Sequence, residues 1–249
     1  ILSIIIGGVI FNLSNICLSA STSIAGMSVA FPVGCGLALV LGVINNLRVE
    51  MSQGALKSNL TLLAIGVALV VVAVILNGIA SGKKAGNAEI SKADQRKGII
   101  LAVVAGVVMS FFSSFVMKAM DLKDFANMEP GKVGPYTAIV VFSLAVLVSH
   151  FVFGPIFMKW PFQGAPVKMS EYFKGNSKTH LVGMLGGCIW CLGTALSYIA
   201  AGKAGASVSY ALGQGAPMVA AIWGVFVWKE FKGSNKTVYN LLGMMFLFF

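Results

Sequence analysis

Asn12, Asn15 and Ser19 recur three to four residues apart inside one apolar stretch, so a helix would set all three on one face. Ser207, Tyr210 and Gln214 do the same in another stretch, one turn before Pro217, while Trp190 and Thr194 lie in a third. Carboxamides both donate and accept hydrogen bonds, hydroxyls complement them, and aromatic rings stack on sugars or heterocycles. Asn12, Asn15, Trp190, Thr194, Ser207, Tyr210 and Gln214 are therefore the candidate substrate-binding residues, and their chemistry suits a small, polar, uncharged molecule. The alternative use of such groups is interhelical hydrogen bonding, at ~0.6–2 kcal/mol per contact. His150 follows Ser143 by seven residues on one helical face, and histidine is the residue type suited to exchanging a proton at physiological pH. It is the candidate for proton coupling, the alternative being a neutral ring bonded to a neighbouring helix.

Other chemistries find no support. An enzyme would need paired carboxylates, a histidine cluster or an activated nucleophile within the apolar stretches, and they hold none. All eight acidic residues fall between or at the ends of those stretches, so no carboxylate proton carrier is expected inside one. Sodium coupling and facilitated diffusion stay open. Cys188 and Cys191 form C-x-x-C, but in an apolar run without a second pair or histidines, which argues against a metal site. Lys83-Lys84-Ala85-Gly86 does not match G-x-x-x-x-G-K-[ST], and Gly34-Cys35-Gly36, inside an apolar run, is no dinucleotide fingerprint. No cofactor is expected.

The elements that must position the candidates are membrane spans. Hydrophobic residues make up 57% of the 249 and charged ones only 10%, with a mean hydropathy of +0.89. That is too little charge to cover a soluble surface. The formal charge of +10 is scattered over separate connections, which argues against a nucleic-acid partner. A window of ~20 residues gives spans at Leu2–Ala20, Met27–Leu47, Leu60–Ala80, Gly98–Met117, Tyr136–Met158, Leu181–Ala201, Ala204–Trp228 and Val238 onward. The expected fold class is an all-α, polytopic integral membrane bundle of about eight spans, with the lipid bilayer as partner. Very short connections at Ser21–Gly26 and Gly202–Lys203 join antiparallel pairs. Residues 81–97 are polar and mixed in charge. Lysines and arginines are twice as many on that linker's side, which places it in the cytoplasm. The chain opens on Ile1 inside one apolar run and stops in another, so it reads as a fragment.

Sliding the chain by 179 positions aligns two hairpins without a gap. Gly7-Gly8 meets Gly186-Gly187, Ala25-Gly26 meets Ala204-Gly205, and Ser28-Val29 meets Ser207-Val208. Gly34 and Gly36 meet Gly213 and Gly215, Gly54 meets Gly233, and Lys57 meets Lys236. Five spans separate equivalent points, and five is odd, so the halves lie inverted in the membrane. Inverted repeats with a midplane site are an architecture of alternating-access transporters. The expected organisation is the remainder of a first five-helix repeat at 1–80, a linker at 81–97 and a second repeat at 98–249.

The segment AGKAGASVSYALGQGAPMVAAIWGVFVWKEFKG, residues 201–233, resembles the second half of transporters in the drug/metabolite transporter superfamily. The short linker, Gly-x-Gly, Pro217, Trp and Lys-Glu-Phe are similar to the ureide permease branch and its sugar-uptake relatives. The resemblance implies a ten-helix fold and transport of a sugar, nucleobase or ureide, while some superfamily relatives export amino acids or drugs. The reading from sequence is thus a secondary permease, with an exporter of the same fold as the alternative. A proton or sodium ion is the expected coupling partner, and the inner cell membrane the expected location.

Overall fold

Lipid offers backbone amides no partners, so long apolar stretches must close their hydrogen bonds within helices. The structure, a computed structural model, describes residues 1–25, 27–84, 92–213, 215, 222, 226–227 and 236–248. Their regular elements are helices: α1 (Leu2–Ala25), α2 (Met27–Ser52), α3 (Leu60–Lys84), α4 (Lys92–Ala119), α5 (Pro135–Lys159), the short α6 (Met169–Phe173), α7 (Ser177–Ala204), α8 (Ala206–Gly213) and α9 (Lys236–Phe248). Among the described residues, six helices (α1 to α5 and α7) are long and apolar enough to cross a membrane. Helices α8 and α9 overlap the two further expected spans but are 8 and 13 residues long, and most of 214–235 lies outside the described residues.

Several boundaries differ from the sequence expectation: Gly202 and Lys203, expected as a connection, lie in α7, and 81–84 and 92–97 of the expected linker lie in α3 and α4, with 85–91 outside the described residues. Ser21 to Ala25 are helical, not a connection, because their hydroxyls are satisfied in place. Ser21 donates to the Gly98 carbonyl at 2.7 Å, while Thr22 and Ser23 bond back to the carbonyls of Ser19 and Ala20. Helix α2 also runs five residues beyond Leu47, to Ser52. It therefore carries Glu50 inside a span, and the expectation of no acidic residue within one is corrected. Arg48 and Glu50 pull the local hydropathy down, but Glu50 is enclosed by partners described below.

Helix α4 is the centre of the bundle, packed most extensively on α1 and α2, and α1 is wedged between α4 and α5. The wedge works because α1 has no side chain at two neighbouring positions. A Cβ at Gly7 would stand 2.9 Å from the Phe112 carbonyl oxygen of α4, and one at Gly8 would stand 2.7 Å from Ala145 Cβ of α5. Without a hydrophobic drive between helices in lipid, such close backbone approach supplies the dispersion energy that holds them. The crossing of α2 and α4 is equally tight, since a Cβ at Gly106 would lie 2.5 Å from the Gly34 carbonyl oxygen.

The loop between α4 and α5 is organised by Asp121, which is buried and accepts the backbone N–H groups of Lys123, Asp124 and Glu129. These bonds, that from Glu129 foremost, hold its carboxyl below the usual carboxylate range. The resulting stabilisation is present above the ordinary value of 3.8 and is lost as pH falls through the lower folded value. Asp121→Asn is accordingly expected to make the loop protease-sensitive at neutral pH, whereas the unmodified loop should become so only in acid. Gly106→Ala should lower stability by about 1–3 kcal/mol, because the obstacle is backbone that cannot move aside. Gly66→Ala, where a Cβ meets nothing within 4 Å, should not. Unfolding in detergent, followed by circular dichroism, checks both.

Candidate substrate cavity

Helical periodicity brings three sets of residues to one place. Phe11, Asn15 and Leu18 share a face of α1, Met109, Phe112 and Ser113 a face of α4, and Trp190, Thr194 and Ser197 with Tyr198 a face of α7. With Cys35 of α2 and Tyr210 of α8 they line a half-open cavity of about 320 Å³. One wall is aromatic. Phe11 and Trp190 stack at 4.5 Å between centroids, Phe11 and Phe112 lie 5.0 Å apart, and Phe112 reaches Tyr210 at 6.1 Å.

The polar atoms leave capacity for a ligand. Asn15 spends one N–H on the Phe11 carbonyl at 3.1 Å, so its second N–H and its oxygen remain. Thr194 donates to the Trp190 carbonyl at 3.0 Å and keeps its lone pairs. The Tyr210 hydroxyl donates to the Ala38 carbonyl at 3.0 Å, and its ring lies against Gly42, where a Cβ would come within 2.3 Å of it. The hydroxyl of Tyr198 is buried without a partner among the described residues, as is that of Ser209, which does not line the cavity. Among the described residues lining this cavity, none is charged.

The sequence candidates therefore divide. Asn15, Trp190, Thr194 and Tyr210 line the cavity together. Asn12 does not: it is buried against α5, donating to Ser149 Oγ at 2.9 Å, with its oxygen 3.4 Å from His150 Nδ1. His150 itself lies on an exposed face of α5. Ser207 is also buried away from the cavity, and Gln214 lies outside the described residues. Cys191 lies 3.7 Å from Ser143 Oγ, and Cys188 is exposed.

Ser207 leads to a residue that sequence reasoning missed. Its N–H and its hydroxyl both donate to Glu50 Oε1 at 2.6 Å, and Glu50 is 0% exposed. Helix α8 begins at Ala206, just after Gly205 with φ +88°, so the carboxylate sits on the positive end of that helix. A Cβ at Gly205 would meet Glu50 Oε1 at 2.8 Å, so glycine is required here for both φ and space. The signal available in the sequence was an acid at the end of an apolar run, with Lys57 seven residues on.

Six membrane-length apolar helices among the described residues define a multi-pass integral membrane protein. Residues 90–249 match the family model described as Ureide permease, and the chain belongs to the ureide permease family. It is 26% identical to Ureide permease 1 of Arabidopsis thaliana over 153 residues, which cover 61% of this chain and 39% of that protein. Ureide permease 2 and Ureide permease 4 of the same plant are 24% and 26% identical over 153 residues, 38% of each. The chain thus spans about two fifths of the length of these curated relatives. No solved structure matches it.

Tyr210→Phe, which removes the bond to Ala38 and keeps the ring, should cost about 1 kcal/mol of stability. Gly42→Ala should cost more, because it displaces the whole ring from its seat. The relative order of the two in a denaturant titration is the check.

Proposed function

We propose that the protein is a secondary permease for a small, polar, uncharged metabolite of the sugar, nucleobase or ureide type. The observation that carries this reading is the cavity itself, in which Asn15, Thr194, Tyr210 and Trp190 converge without a charged lining residue among those described. Amide and hydroxyl groups with spare capacity can match the donors and acceptors of such a ligand, and Trp190 on Phe11 offers a stacking surface. A charged substrate would enter this cavity without a counter-charge, at a large desolvation cost. Membership of a family of permeases supports the same reading.

The mechanism we infer is alternating access between two inverted halves, 1–80 and 98–249, with 81–97 as the linker, in a fold of the drug/metabolite transporter superfamily. The glycine matches at the constant offset of 179 support it. Coupling is to a proton or to sodium. For the proton, His150 is the carrier, its ring adjoining Asn12 on the helix that bears Asn15. The inferred location is the inner cell membrane.

Uptake by proteoliposomes tests the proposal, with a panel of labelled sugars, nucleobases and ureides, with and without a pH or sodium gradient. Saturable uptake is expected, reduced at least about tenfold by Asn15→Ala, Trp190→Ala or Gln214→Ala with the protein still folded, a loss of about 1.4 kcal/mol or more. Efflux of a cationic dye with no uptake of any panel member would sink the metabolite reading in favour of an exporter.

A further inference from the structure

Glu50 is fully enclosed, yet among the described residues no cationic side chain pairs with it. Its charge is met by the N–H and hydroxyl of Ser207, by Ser58 Oγ at 3.4 Å from Oε2, and by the N-terminal end of α8. Seven residues on, Lys57 Nζ donates to the Leu122 carbonyl at 2.9 Å and to the carbonyl of Gly202, in the last turn of α7. The last turn of α2 thus places a carboxylate on the start of α8, and the connection that follows it places a cation on the end of α7. These are the two helix ends that meet at Gly205, and each charge has the sign its helix end favours.

The grip has a fixed side and a held side. Gln53 donates to the Met117 carbonyl at 3.2 Å and accepts from the Leu122 N–H at 3.3 Å, which fastens the connection to the end of α4 and the loop beyond it. The held side reaches the cavity directly. Ser207 precedes Tyr210 by one turn, Gly202 follows Tyr198 by one turn, and both tyrosines are cavity walls. Among the described residues, α7 away from this corner makes few contacts: Leu181, Met184, Leu185 and Ile189 are exposed, and a Cβ at Gly183 or Gly187 would meet nothing within 4 Å. The corner is therefore where α7 and α8 are tied to the α1, α2 and α4 bundle by directional polar bonds, which can be exchanged as units, unlike an interlocked core.

We propose that Glu50 and Lys57 are positioning residues of the transport cycle, a two-ended clamp that shuts this end of the cavity and must release Ser207 and Gly202 for the cavity to open here. The proposal rests on the permease reading, and its test reads accessibility, not transport. Cys35 lines the cavity and serves as the native reporter once Cys17, Cys188 and Cys191 are replaced by alanine. Its labelling by a membrane-impermeant maleimide is measured in vesicles of both orientations. Glu50→Gln and Lys57→Gln should each raise the labelling rate from the clamp side at least about tenfold and leave the opposite side unchanged or slower. Ser207→Ala, which keeps the backbone donor, should give a smaller rise, and it carries the test where a charge variant does not fold. An unchanged rate from the clamp side, or an equal rise from both sides, overturns the clamp. Uptake present with unchanged labelling refutes the clamp alone, and shifted labelling without uptake of any substrate refutes the permease reading alone.

Discussion

A carboxyl group can be enclosed inside a membrane bundle only where fixed hydrogen-bond donors take the place of water, and Glu50 meets that condition at the start of α8. The arrangement joins parts of the chain that are 157 residues apart. It depends on Gly205, whose φ of +88° and missing side chain let the carboxylate approach the helix end. The ion pairs Lys123–Glu129 and Lys174–Glu171 are different in kind, being exposed on both partners. Such pairs contribute ~0–1 kcal/mol, whereas Glu50 and Asp121 are both buried among their hydrogen-bond donors.

The rest of the bundle is built from absences of side chain. Gly7 and Gly8 let α1 sink between α4 and α5, and Gly34 with Gly106 lets α2 lie close on α4. Helices α1, α2 and α4 therefore make a dense unit that fixes one side of the cavity, whereas α7 and α8 reach it with far fewer contacts. The cavity lies on the seam between a densely packed part and a lightly packed one.

The spans and their apolar character were legible because lipid imposes a simple demand on composition, and residues such as Asn15 and Thr194 stood out as polar groups in apolar runs. What each polar group does was less legible. Asn12 and Asn15 differ by only roughly 60° around α1, yet one faces α5 and the other the cavity, a choice made by packing partners far away in sequence. Phe11 and Phe112, which build the aromatic wall, cannot be told from ordinary core residues by type alone. The role of Ser207 was hidden because its partner lies on another helix, and Glu50 fell outside the expected span because hydropathy treats a charge as a cost without seeing what encloses it.

One consequence of the Ser207–Glu50 contact follows from thermodynamic reciprocity. Two events that share one conformational equilibrium must influence each other by equal factors, whatever the path between them. The corner carrying Ser207 also carries Tyr210, so any molecule that binds the cavity better with the corner held must strengthen the hold by the same factor. If the corner is the proposed clamp, a compound directed at Glu50 or Ser207 would then strengthen or weaken binding in the cavity according to whether it favours the held corner.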